Sequence, residues 1–96
     1  MISSFRDQAT ADIFQGVASK KALRIPQTLW PVICRKLDMI NAAYELSDLK
    51  VPPANRLEAL KGKYAGYHSI RANDQYRIVF PWADYNAHEV QIVDYH

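Results

Sequence analysis

The sequence predicts an α+β domain, with two N-terminal helices packed on one face of a small, mostly antiparallel sheet. Three observations carry that expectation. Trp30, Ile33, Leu37, Ile40 and Tyr44 recur at three- and four-residue intervals, which places them on one stripe of an α-helix. Two β-rich runs, residues 67–71 and 76–80, flank the turn-forming cluster Asn73-Asp74-Gln75. A third run, residues 89–95, closes the chain.

Each element has its own local reason. Residues 2–5, Ile-Ser-Ser-Phe, are a short apolar-polar segment and suit a short first strand. Residues 7–16 suit a short helix, with Phe5, Ala9, Ile13 and Phe14 near helical spacing and Gly16 as its stop. The second helix is expected over residues 29–44. Thr28 is its candidate N-cap, and Pro31 falls in the first turn, where a missing N–H costs nothing. Arg35, Lys36 and Asn41 form its polar face, a further short turn covers residues 45–49, and Pro52-Pro53 is expected to end helical structure. Along residues 76–80, Tyr76, Ile78 and Phe80 share one face while Arg77 and Val79 take the other. Pro81 and residues 83–87 are expected to break that run. A chain of 96 residues, 49% hydrophobic and 23% charged, has room for a single domain over residues 1–96.

Composition excludes several functions. The lone Cys34 supports neither a disulfide framework nor a cysteine-rich zinc site, and on an amphipathic helix it reads as packing. His68, His88 and His96 lack ligand-like spacing, and no glycine-rich phosphate loop is present, so neither metal nor cofactor is expected. No apolar run is long enough to span a bilayer and no secretory signal is visible, so a cytoplasmic protein without membrane attachment is expected. The net charge of +2 does not by itself announce nucleic-acid binding.

That small net charge hides a local imbalance. Residues 51–80 carry Arg56, Lys61, Lys63, Arg71 and Arg77 against Glu58 and Asp74, a net +3, interleaved with Tyr64, Tyr67 and Tyr76. Cations among aromatics suit an RNA substrate, because they meet phosphate while rings stack on unpaired bases. They equally suit a solvated sheet face over core tyrosines. The terminal His96 is either a frayed end or a pinned proton donor or acceptor.

Taken in order, residues 55–62 (NRLEALKG), residues 66–78 (GYHSIRANDQYRI) and the final Val93-Asp94-Tyr95-His96 resemble the HigB toxins of type II toxin–antitoxin modules. The opening Met1-Ile2-Ser3-Ser4-Phe5 and the Pro52-Pro53 segment also fit, so the likeness covers essentially the whole chain. It implies a RelE-like fold and a toxin that enters the ribosomal A site and cuts mRNA there. It also implies a HigA-like helix-turn-helix antitoxin as partner, with operator DNA reached only indirectly through that antitoxin.

Metal-free RNA cleavage by the ribose 2′-OH needs a base, cations for the crowded phosphate and an acid for the leaving oxygen. The resemblance carries Lys61 and Arg77 onto the cation positions, and Tyr95 and His96 onto the C-terminal catalytic pair. Where some members have His in a His-x-x-Lys pair, this chain has Glu58-Ala59-Leu60-Lys61. Glu58 or His96 is then the base. Asp94 can orient His96 or contact substrate, and Arg56, Lys63 and Arg71 are further substrate-binding candidates. The alternative is a toxin without catalysis, which sequesters its antitoxin or blocks the ribosome.

Overall fold

The computed structural model describes residues 1–94. Two α-helices, α1 (Gln8–Gln15) and α2 (Trp30–Ala42), precede five strands: β1 (Glu58–Ala59), β2 (Tyr67–Arg71), β3 (Tyr76–Ala83), β4 (Asn86–Ala87) and β5 (Gln91–Asp94). All strand pairs are antiparallel. β3 is the central strand, with β2 and then β1 along one edge, and β5 and β4 sharing the other.

Helix α1 begins where the Asp7 carboxylate accepts the Thr10 N–H at 2.8 Å, and it ends where Gly16 turns left-handed at φ 74°. Within the helix, the Asp12 carboxylate accepts from Ser19 Oγ, just past the helix end, and from Gln8 Nε2, and these bonds hold its pKa below the ordinary value. Removing the cap should be measurable. Asp7→Ala is expected to lower stability by about 1 kcal/mol, read as a fall of roughly 4–8 °C in a thermal melt.

Helix α2 buries Trp30, Ile33, Leu37 and Ile40, as their spacing predicts, and Pro31 sits in its first turn. Two expectations fail at its ends. A 3-10 turn over Gln27–Leu29 absorbs Thr28, so no side chain caps the helix. Tyr44 lies past the last helical residue and is exposed, stacked on Tyr85 at 5.2 Å. Nor do the prolines end helical structure, since further 3-10 turns cover Pro53–Asn55 and Gly62–Tyr64.

The core lies between these helices and one sheet face. Ile13, Ile33, Leu37 and Ile40 meet Ile70, Tyr76, Ile78 and Phe80. Asn55 is fully buried beside it and ties the connecting loop to α2. Its Oδ1 accepts Lys36 Nζ at 2.6 Å, and its Nδ2 donates to the carbonyls of Leu49 at 3.1 Å and Val51 at 3.4 Å. Burial, then Arg35 and Arg71, lowers the Lys36 pKa.

β2 has the expected bounds, but β3 continues through Pro81 to Ala83. The Pro81 carbonyl accepts from His88 N at 3.0 Å. The missing N–H therefore faces the same edge, in the gap between β5 and β4, where no ladder bond is lost. A two-residue turn follows, with Asp84 at φ 53° and Tyr85 at φ 63°, the conformation that hairpins favour. The expected first strand is reduced to two isolated parallel bridges, Ile2 to Ala87 and Phe5 to Val90, which lengthen the far edge.

Candidate functional site

Register sorts the sheet into two faces, because paired residues point the same way. Glu58 pairs Ser69, Ser69 pairs Val79, and Val79 pairs Gln91; Arg71 pairs Arg77, and Arg77 pairs Val93. All of these occupy the face away from the helices. His68 and Phe80 pair on the core side, and their rings lie 6.5 Å apart. Burial lowers the His68 pKa. His88 bridges Ser3 Oγ and the Ala83 carbonyl at the far edge. Neither imidazole joins the open face.

Arg77 is the anchor of that face. It is only 8% exposed. Its Nε donates to Ser69 Oγ at 2.8 Å, and its Nη2 donates to the Arg56 carbonyl at 2.6 Å and to the Ser69 carbonyl at 3.5 Å. At the rim, Glu58 Oε1 lies 3.7 Å from Nη2 and is half exposed. A buried, hydrogen-bonded cation thus stands beside a carboxylate that solvent reaches. Such a pair can hold an anion next to a proton acceptor.

The backbone around Arg77 is shaped for this contact. Arg56 adopts a left-handed conformation, φ 46° and ψ 57°, which costs a non-glycine residue roughly 1–2 kcal/mol. That turn directs its carbonyl onto the guanidinium, while its side chain stays exposed. Lys61 is exposed at the start of the Gly62–Tyr64 turn, three residues past Glu58.

The remaining candidates divide. Arg71 shares the face with Arg77, but its guanidinium is bonded to Asp74 in the β2–β3 turn. Lys63 lies 5.4 Å from the centroid of the Tyr64 ring. Asp94 pairs Tyr76 and so belongs to the opposite face, where it accepts from Gln75 Nε2 and lines a cleft with Arg24, Ile25, Tyr76 and Ile92. Tyr76 is core rather than surface, so only Tyr64 and Tyr67 of the interleaved tyrosines reach the open side. Tyr95 and His96 lie outside the described residues. Ser69 escaped the sequence reading, since an isolated serine on a strand carries no signal until register sets it against Arg77.

Among the described residues, no three His, Cys, Asp or Glu side chains cluster as a metal set would, and no helix is long and apolar enough to cross a membrane. Cys34 donates to the Ile13 carbonyl at 3.3 Å, and burial, then Asp38, raises its pKa.

Comparison with known proteins decides the family. The model of the RelE-like toxin of type II toxin–antitoxin system HigB matches residues 3–96. This chain belongs to the HigB-like toxin family. Toxin HigB-1 of Vibrio cholerae is 38% identical over 84 residues, covering 88% of this chain and 86% of that protein. An uncharacterized protein of Haemophilus influenzae is 48% identical over 59 residues, covering 62% of this chain and 58% of its own length.

Among solved structures, a chain of the YoeB–YefM complex from Staphylococcus aureus superposes with a TM-score of 0.61 at 17% identity, covering 100% of this chain and 98% of that one. A chain of the heterotetrameric YoeB–YefM toxin–antitoxin complex from the same species gives 0.55 at 16% identity, with the same coverage. These two matches establish the shared fold, and the HigB-like family assignment rests on the sequence.

Proposed function

We propose that this HigB-like toxin is a ribosome-dependent mRNA endonuclease that cuts without a metal. The observation that carries this reading is the half-exposed Glu58 at 3.7 Å from a buried, hydrogen-bonded Arg77 on the sheet face away from the helices. In the proposed step a base takes the proton of the ribose 2′-OH, and the oxygen attacks the adjacent phosphorus. The bond from phosphorus to the 5′-oxygen breaks as an acid protonates that oxygen, leaving a cyclic phosphate and a 5′-OH. Arg77 and Lys61 hold the extra negative charge at phosphorus. Glu58 takes the 2′-OH proton, and His96, with Tyr95, supplies the leaving group's proton. Arg56 and Lys63 contact the flanking backbone of the message.

The modest net charge of +2 supports dependence on the ribosome, since a free nuclease must hold RNA through many phosphate contacts of its own. A helix-turn-helix antitoxin of the HigA kind is the proposed partner in the cytoplasm. The relationship to toxins of toxin–antitoxin systems supports this. Operator DNA is reached through that partner.

Mapping the 5′ ends of cellular mRNA after induction tests the reading. New ends are expected within translated frames, and they are expected to fall about a hundredfold in Lys61→Ala, with comparable losses in Glu58→Ala and in a form lacking His96. Stalled ribosomes on intact message, seen by toeprinting, would replace the nuclease with a toxin that binds and blocks.

A further inference from the structure

Beside the Glu58–Arg77 pair the same face holds a cavity of about 310 Å³, lined by Arg6, Lys63, Tyr64, Tyr67 and Gln91. Its parts come from the N-terminal segment, the Gly62–Tyr64 turn, β2 and β5, so only the folded chain assembles it. The Tyr64 and Tyr67 rings lie 5.8 Å apart, tilted by 53°. Lys63 sits against the Tyr64 ring, and Arg6 stands at the rim, 3.9 Å from Glu89. Gln91 offers a neutral amide that both donates and accepts.

We infer that this cavity is a nucleotide subsite: Tyr64 and Tyr67 stack on an unpaired base, Gln91 meets its edge, and Lys63 and Arg6 hold its phosphate. The inference deepens the nuclease reading and rests on it for the identity of the strand. An acidic peptide would use the two cations and leave both aromatic rings idle, whereas a nucleotide uses every wall. Position agrees with chemistry. Tyr67 and Ser69 share a face two residues apart on β2, roughly 7 Å, and Ser69 is bonded to Arg77. A strand with its scissile phosphate at Arg77 therefore lays a neighbouring nucleotide over Tyr67.

The test is titration of the isotopically labelled chain with a 2′-O-methylated RNA trinucleotide, which binds but lacks the attacking hydroxyl, followed by amide shifts. Shifts are expected at Arg6, Lys63, Tyr64, Tyr67 and Gln91. Tyr64→Leu and Tyr67→Leu are each expected to weaken binding about tenfold. Arg6→Gln and Lys63→Gln are expected to flatten its salt dependence. Glu89→Gln separates roles for Arg6: if Arg6 serves phosphate, this variant binds as well as the wild type or better. Weakening by Glu89→Gln equal to that by Arg6→Gln would make the cation merely structural and overturn its assignment. Saturating trinucleotide with no shift at the tyrosines, or shifts confined to other surfaces, would overturn the subsite even if translated mRNA is cut. Shifts at these residues with translated mRNA left intact would keep the subsite and remove the nuclease.

Discussion

Arg77→Ala is expected to reduce mRNA cleavage about a thousandfold and, at the same time, to destabilise the fold by about 2–4 kcal/mol. The two effects share one cause. The guanidinium is almost wholly buried and bonds Ser69 and the Arg56 carbonyl while facing Glu58. Alanine removes a cation proposed to hold the phosphate and leaves the left-handed turn at Arg56 without the partner that its carbonyl meets. Arg77→Lys keeps the charge but not the planar fork, so it cannot serve both acceptors together. It is expected to recover part of the stability and little of the rate. Urea unfolding gives the stability. Cleavage on translating ribosomes, measured where each variant is folded, gives the rate. A folded Arg77→Ala protein that cuts as fast as the wild type would remove Arg77 from the site.

Asn55→Leu carries the largest expected loss of stability away from the site, about 2–3 kcal/mol and more than about 10 °C in melting temperature. One buried amide meets Lys36 on α2 and two carbonyls, those of Leu49 and Val51, in the loop before β1. Leucine matches the size and satisfies none of these groups. The ammonium of Lys36 loses its acceptor, so the double variant Lys36→Met, Asn55→Leu is expected to be less damaged than the summed single effects, by about 1 kcal/mol. Additive losses would show that Lys36 contributes nothing through Asn55. A single variant melting with the wild type would show that the loop is held by other contacts.

The parts that local chemistry encodes were legible in the sequence. Helix α2 announced itself through its apolar stripe, α1 through the stop at Gly16, and β2 through its composition and the turn after it. What failed depends on geometry that composition does not express. Asp84-Tyr85 forms a tight hairpin although a tyrosine at positive φ gives no turn signal, and Pro81 stays in β3 because its missing N–H meets a gap between neighbours. The segment 2–5 pairs in parallel with residues more than eighty positions away, a partnership that local alternation cannot report. The candidate site divides along the same line. Glu58 and Arg77 were named from family likeness, while their proximity follows from the β1–β2–β3 register. Asp94 falls on the other face by the same parity, one residue away from the partner of Arg77.

The burial of Arg77 bears on how loss-of-function genetics would read in this protein. A selection for cells that survive uncontrolled production mixes broken folds with a broken site, and under the proposed function hits at Arg77 or Ser69 belong to both classes. The half-exposed carboxylate of Glu58 and the exposed side chain of Lys61 are different, since little packing depends on either. Survivors altered there are expected to accumulate as soluble protein and to titrate the antitoxin, which makes those two positions the ones at which the proposed site is tested apart from the fold.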